Sequence, residues 1–558
     1  MVKRMFELVY KEVRGLHQAA YVLGLFAFGS QLLALVRDRM LAHEFGAGIE
    51  LDLYYAAFRL PDLLYVLFAS TLSVYVLIPL VASRIKGEDA SEARALLSQI
   101  FSIFLICYTL LAIVFWVLAP IVLPFMFPGL SLYMDDLVSI MRILLLQPMF
   151  LGISSLFGVV TQLGHRFVLY AISPLIYNVG IIGGIIFLYP LWGLNGLAFG
   201  VVLGAIGHML VQVPLVNRSN LAFGFTRHIM LSNIGEVLRV SLPRAVTLAM
   251  NQLVLLVLLG VASLMAVGSV AVFQLAHNLQ SVPLAVIGAS YSIAAFPFLA
   301  DLFAQKKMND FRLHIITALR HILFWSLPAI VLLIVLRAQV VRVVLGSGAF
   351  NWGDTRLTAA VLAMLAISLF AQAANLLIVR AFYAGGNTRT PFNVTLAGSL
   401  FAVALTLFLY SAYLRDPSFL SGISDLMRIG NVAGSEIILI ALGYSIAICA
   451  QTIVLFLFAV REFALPCKWL LPNITRAALA SIAGGLAAYA TLNFFVEGIN
   501  ETAFLGIFIQ GMLGGLTGIA AIILTYYALR SPELKEIYHS FHRRIFKTDV
   551  VAPQEDVL

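Results

Sequence analysis

IFLICYTLLAIVFWVLAPIVLPFMF, residues 103–127, runs through twenty-five positions without a single Asp, Glu, Lys or Arg. About 20 apolar residues in a helix cross a hydrocarbon layer roughly 30 Å thick, so this run is long enough to span a bilayer. Inside lipid every backbone N–H and C=O must be bonded internally, which leaves a helix or a closed barrel. A barrel strand is about 10 residues of alternating polarity, and nothing here alternates with period two. The segment therefore predicts a transmembrane helix.

Working outward, similar runs recur along the chain. The predicted spans are 17–36, 53–82, 96–124, 138–160, 167–189, 194–216, 241–262, 270–300, 321–337, 358–382, 391–413, 436–459, 477–496 and 504–529, about fourteen in all. Composition agrees: of 558 residues 61% are hydrophobic and only 11% charged, with mean hydropathy +0.99. The fold class is all-α, a polytopic membrane protein. Lys3, Arg4, Lys11 and Arg14 before the first apolar stretch resemble a secretory signal. That stretch continues to Val36, includes Gln31 and shows no small-residue cleavage pattern, so it reads as a retained span.

The net charge of +8 would suggest nucleic acid in a soluble protein. In this chain the positive-inside rule accounts for it, and no nucleic-acid partner is expected. With an even number of spans both termini share one side, and the loops on that side collect about 26 of the 35 Lys and Arg. Among them are Arg84, Lys86, Arg166, Arg218, Arg227, Lys306, Lys307, Arg461, Lys468 and the tail from Arg530 to Lys547; the loops near 190, 265 and 500 carry none. Both termini are thereby predicted to be cytoplasmic. The stretch from Arg337 to Arg356 breaks the pattern.

A duplication shows in outline. Pro79 precedes the basic loop with Arg84 and Lys86, and Pro297 precedes Lys306 and Lys307; Gly164-His165-Arg166 and Gly386-Asn387-Thr388 follow the fourth and tenth spans at a similar offset. Two six-helix halves result, 1–222 and 223–462, with two added helices in 463–530 and a basic cytoplasmic tail at 531–558. An even helix number makes the halves parallel repeats about an axis along the membrane normal. Gly196, Gly200 and Gly204, and Gly511 and Gly515, form stripes where helices can approach closely. Pro61 and Pro283 should bend their spans, and a bend is tolerated where protein or a cavity covers the freed backbone.

The densest polar cluster comprises Gln31, Arg37, Asp38, Arg39, Asp52, Arg59 and Asp62. An ionised side chain at the bilayer centre costs roughly 2.5–3.5 kcal/mol on insertion scales, so such groups face a cavity or a partner. Arg37, Asp38 and Arg39 have a bland alternative, snorkelling to the interface; Arg59 and Asp62 could pair with each other at i,i+3. Weaker candidates are His277, Asn278, Asn375 and Arg380, with Asn251, Asn393 and Glu436 as scattered oxygen donors for a cation. His539 and His542 lie three apart in the tail, too few for a metal site. Cys107, Cys449 and Cys467 are far apart and read as apolar filler. No GxSxG, GxxxxGK[ST], HExxH or post-strand GxGxxG motif occurs, so no catalytic residues, metal or cofactor are assigned.

Several segments together resemble the MurJ/MviN family of lipid II flippases, within the wider superfamily that exports drugs and lipid-linked oligosaccharides. They are Leu35-Val36-Arg37-Asp38, Phe45-Gly46-Ala47-Gly48, Asp52 and Ala57-Phe58-Arg59-Leu60-Pro61-Asp62-Leu63-Leu64; Gly164-His165-Arg166-Phe167 with Ser173-Pro174-Leu175-Ile176-Tyr177-Asn178; Gly348-Ala349-Phe350 with Asp354-Thr355; and Arg380-Ala381-Phe382-Tyr383-Ala384 before Gly386-Asn387-Thr388-Arg389-Thr390-Pro391. The resemblance implies two lobes in a V with alternating access, and a cationic central cavity for the diphosphate-sugar head of lipid II or a related undecaprenyl-diphosphate-linked glycan. It implies a monomer in the inner membrane, driven by the membrane potential or a monovalent cation. Arg37, Asp38 and Asp52 match the family's functional positions, Ser30 matches a cavity serine, and Arg59 stands where the family has a basic residue.

The chain also departs from the pattern. Gln31, Tyr65 and Asn278 stand where the family carries arginines, and Ser70-Thr71 replace its Glu-Gly. Fewer arginines mean fewer charge-assisted bonds to a diphosphate, although Gln31, Tyr65 and Asn278 still donate hydrogen bonds. Export of another lipid-linked oligosaccharide or an amphipathic drug, and a non-transporting membrane scaffold, stay open as alternatives.

Overall fold

Apolar runs become helices because only a helix satisfies its own backbone in lipid, and the computed structural model has no β-strand among its described residues, 16–85, 89–466, 468, 470–495 and 504–545. The principal helices are α1 (Leu16–Phe45), α2 (Ile49–Thr71), α3 (Ser91–Met126), α4 (Met134–Leu144), α5 (Leu146–Leu163), α6 (Phe167–Gly183), α7 (Tyr189–Leu210), α8 (Leu231–Ser263) and α9 (Ser269–Pro283). They continue as α10 (Ser290–Ala304), α11 (Met308–Val335), α12 (Leu369–Ala384), α13 (Arg389–Arg415), α14 (Ile437–Phe463), α15 (Leu470–Ala490), α16 (Phe504–Ala528) and α17 (Pro532–Ile545).

Ten helical segments among the described residues are long and apolar enough to cross a membrane, or eleven if the bent pair Trp352–Ala366 and Leu369–Ala384 is one span. This count by length and composition differs from the expected fourteen for two physical reasons. α1 and α2 are not among the ten, and these carry Arg37, Asp38 and Arg39, and Asp52, Arg59 and Asp62. Residues Phe167–Arg218 form one continuous segment, although the backbone turns at Gly193, φ +56°. The chain is a multi-pass membrane protein. α3 shows how a span meets lipid: Leu110, Ile113, Val117, Ile121 and Phe125 are all exposed, up to 89% at Phe125, on one apolar face.

Chain contacts separate two units. One comprises Met1–Leu279, Val344–Val361 and Phe392–Ala447; the other comprises Gln280–Val343, Leu362–Pro391 and Ile448–Leu558. In the first, α2 packs on α8, α1 on α6, and α6 on α7. In the second, α15 packs on α11 and α16, and α10 on α12.

The α6–α7 contact is a glycine seam. A Cβ on Gly184 would lie 2.6 Å from the Cα of Gly200, and one on Gly180 would lie 2.3 Å from that of Gly204. No side chain larger than hydrogen fits there, so the Gly196, Gly200 and Gly204 stripe meets a second glycine pair on its neighbour. On α16 the expected stripe is tight at Gly511, where a Cβ would lie 3.2 Å from Gln339 Cβ, and the tightest position is Gly518. A Cβ on Gly518 would lie 2.7 Å from Leu332 Cδ2, and one on Gly484 of α15 would lie 2.9 Å from Gly518 O, whereas Gly515 has only ordinary contact.

Pro61 sits inside the uninterrupted helix α2. Pro283 ends α9, and a π-helical segment, Leu284–Ala289, follows it. Such a wide turn absorbs the carbonyl that proline leaves without a donor. Lys3, Arg4, Lys11, Arg14, Lys86, Cys467, the His539 and His542 side chains and the tail beyond Ile545 lie outside the described residues. Cys107 is exposed and Cys449 half-buried.

Candidate functional site

Arg37 and Asp38 are neighbours near the end of α1. On an ideal helix adjacent side chains diverge, yet here the guanidinium folds back: Nε donates to Asp38 Oδ1 at 3.0 Å and Nη2 to the same oxygen at 2.7 Å. Asp38 is 3% exposed, and a buried carboxylate needs such pairing to offset the loss of water. Its other oxygen, Oδ2, accepts from Asn278 Nδ2 on α9 at 2.9 Å.

From these two residues a chain of polar contacts runs both ways. Arg37 Nη1 donates to Asn178 Oδ1 on α6 at 3.2 Å, and Asn178 Nδ2 donates to Ser30 Oγ at 3.3 Å. On the other side Gln274 Nε2 donates to Asn278 Oδ1 at 2.7 Å, and Arg59 Nη2 donates to Gln274 Oε1 at 2.9 Å. Arg59 Nε is satisfied by the carbonyl of Tyr55, one turn earlier on α2, at 3.2 Å. Ser30, Asn178, Arg37, Asp38, Asn278, Gln274 and Arg59 therefore form one continuous relay across α1, α2, α6 and α9, all inside the first unit.

The relay borders a cavity of about 200 Å³ lined by Arg37, Tyr54, Tyr55, Phe58, Arg59, Asp62, Gln147, Tyr177, Ile181, Gln274 and Asn278. Arg37, Arg59 and Asn278 thus line the same cavity. With the aspartates ionised, two arginines face two aspartates, Asp38 and Asp62, so the cluster is formally neutral rather than cationic. Tyr65 is not among the lining residues; its hydroxyl pairs with Ser155. Gln31 is half-buried on α1 and also outside the lining.

Asp52 lies apart from the relay, against the start of α9. Its Oδ2 accepts from Gly268 N–H at 2.6 Å and its Oδ1 from Ala271 N–H at 2.7 Å. Both donors are free N–H groups at the start of α9, where a carboxylate also meets the positive end of the helix dipole. Gly268 has φ +90°, and a Cβ there would lie 2.0 Å from Ala47 O, so only glycine fits. The quoted segments around Gly46 and Gly348 gather at the same place: Ala349 N–H donates to His43 O at 2.8 Å, and Asp354 Oδ2 accepts from Ala47 N–H at 3.4 Å and Asn351 N–H at 3.0 Å.

The remaining candidates fall elsewhere. His277 stacks on Phe273, with ring centroids 6.2 Å apart. Glu436 Oε1 accepts from Ala266 N–H at 3.2 Å. Asn251 is exposed, Asn375 and Arg380 lie half-buried in the second unit, and Asn393 lies on α13. Residues not singled out from sequence include Asn178, Gln274, Gln147 and Tyr55. The i,i+4 spacing of Gln274 and Asn278 places both on one face of α9.

The family described as Lipid II flippase MurJ matches residues 41–514. A probable lipid II flippase MurJ of Thermotoga maritima is 28% identical over 395 residues, covering 70% of this chain and 78% of that protein. One from Rhizobium tropici is 25% identical over 394 residues, covering 68% and 73%. A solved structure titled "Lipid II flippase MurJ, inward closed conformation" superposes with a TM-score of 0.73 at 23% identity, covering 91% of this chain and 99% of that one.

Proposed function

The chain belongs to the lipid II flippase MurJ family, and from that premise we propose that it carries lipid II, or a related undecaprenyl-diphosphate-linked glycan, across the bacterial inner membrane. The observation that carries this reading is the relay from Ser30 to Arg59 bordering a cavity inside a membrane-embedded unit. A guanidinium there is the natural partner of a phosphate, since charge-assisted bonds are short and about twice as strong as neutral ones.

The mechanism is an exchange of anions. Asp38 occupies Arg37 when no substrate is bound. An entering phosphate takes Arg37, and Asp38 loosens its hold on Asn278. The carboxylate bridge between α1 and α9 is then undone by binding itself, which couples occupancy to the relation between these helices. Ser30 and Asn178 hold Arg37 in place, and Gln274 holds Arg59. Rocking of the six-helix halves 1–222 and 223–462 exposes the cavity to each side in turn, driven by the membrane potential or a monovalent cation, with the prenyl tail left in lipid. The transporter works as a monomer with both termini in the cytoplasm.

A reconstituted flipping assay with labelled lipid II tests the reading. Wild-type protein moves the label across the vesicle membrane, and Arg37→Ala lowers the rate at least ten-fold, the loss of one charge-assisted contact. Unchanged transport by the variant would take Arg37 out of the mechanism.

A further inference from the structure

Two polar atoms on the cavity wall have no hydrogen-bond partner among the described residues, Tyr55 Oη and Gln147 Oε1. Both side chains are well over nine-tenths buried, at 6% and 4% exposure, and both line the cavity that Arg37 and Arg59 border. A buried polar atom without a partner is expensive, because its desolvation is not compensated. Two of them on one cavity indicate a group that arrives from outside the chain.

The chemistry of that group follows from the orphans. Neither Tyr55 nor Gln147 is charged, so this part of the cavity does not select for an anion as Arg37 does. A phenol donates one hydrogen and accepts others, and the carbonyl oxygen of the Gln147 carboxamide accepts. Their complement is a neutral group that is itself both donor and acceptor, a hydroxyl or an amide. Together with the arginines they fit a glycosyl diphosphate, its phosphate on Arg37 and its sugar against Tyr55 and Gln147.

Resting on the flippase reading above, we infer that Tyr55 and Gln147 form a neutral subsite that distinguishes a glycosylated prenyl diphosphate from the bare prenyl diphosphate. A site built to bond a hydroxyl or amide discriminates strongly against a ligand without one, because its buried groups are then left unpaired. The two residues are specificity determinants of the same cavity, separate from the charged relay.

The test measures binding of two probes, lipid II and undecaprenyl diphosphate, to the purified full-length protein and to its Tyr55→Phe, Gln147→Met and Arg37→Ala variants. Wild type is expected to prefer lipid II. Tyr55→Phe and Gln147→Met each weaken lipid II binding roughly ten-fold, the loss of about one hydrogen bond, and leave undecaprenyl diphosphate unchanged. Arg37→Ala weakens both probes alike. If either neutral-site variant weakened the two probes equally, or left lipid II untouched, the subsite would be disproved while the flippase reading stood. If wild-type protein bound neither probe, that reading would fall as well. Tyr55→Phe removes a single oxygen, so a thermal melt matching wild type shows that the fold is intact.

Discussion

The two carboxylate oxygens of Asp38 serve different helices, Oδ1 the guanidinium of Arg37 on its own helix and Oδ2 the amide of Asn278 on α9. Asp38→Asn keeps the shape and removes the charge. Breaking a buried ion pair from one side costs about 3–5 kcal/mol; Arg37 retains about a fifth of its side-chain exposure, so a loss of roughly 2–3 kcal/mol is expected here. The missing charge can be replaced by phosphate. Lipid II should therefore raise the melting temperature of the variant more than that of wild type, and equal shifts in calorimetry or fluorescence melts would contradict the exchange of anions. Arg37, Asp38 and Arg59 were legible in the sequence because an ionised group in an apolar run is costly enough to need a reason. Asn178, Gln274, Gln147 and Tyr55 were not, because a neutral side chain in a span is cheap and does not stand out. Asp52 was visible as a residue, but its partners are backbone N–H groups more than two hundred positions later, which residue types do not reveal.

At the scale of elements, spacing was readable and pairing was not. The four-residue glycine stripe on α7 announced a close contact, while its partner glycines, Gly180 and Gly184, became clear only in the packed structure. The basic tail posed the reverse problem, reading as solvated charge although its start forms α17. That helix is fastened to α11: Arg320 Nε donates to Glu533 Oε1 at 2.8 Å, and His321 lies 2.9 Å from Glu536. Burial raises the Glu533 carboxyl, but hydrogen bonds from Ser531 and its own backbone N–H, with the Arg320 charge, hold it below the usual carboxylate range. A depressed value means that the ion pair stabilises the docked helix fully above the ordinary glutamate pKa, about 4.3, and that this stability is lost as pH falls through the lower folded value. Protection of α17 against hydrogen exchange, taken relative to the intrinsic rate at each pH, should accordingly fall as the pH is lowered below about 4.3, and Glu533→Gln should show lower protection at neutral pH with that acid step removed. An acid step that survived in Glu533→Gln would assign it to another group.

For the whole molecule, the all-helical membrane class followed from the length of the apolar runs, whereas a count of crossings by length and apolarity alone stops at ten or eleven among the described residues. A span that carries a functional charged cluster is less apolar than one that only faces lipid, so α1 and α2 are the helices that composition alone undercounts. The same distinction explains the stretch that broke the charge bias. Arg337 donates to the carbonyl of Ile334 at 2.8 Å, and Arg356 to Asn431 Oδ1 at 2.8 Å; arginines engaged with the protein in this way are poor reporters of the loop charge that sets orientation. Discounting them leaves a bias that predicts a cytoplasmic loop at Lys306 and Lys307 and an outer turn at Met265. Single cysteines at 265 and 306, introduced after Cys107, Cys449 and Cys467 are replaced by alanine, turn this into a measurement. In intact cells whose outer membrane has been permeabilised, a membrane-impermeant maleimide should label position 265 and leave 306 unlabelled until the inner membrane is opened. Labelling of 306 first would invert the topology, put both termini outside, and require the cavity to load its substrate from the opposite face.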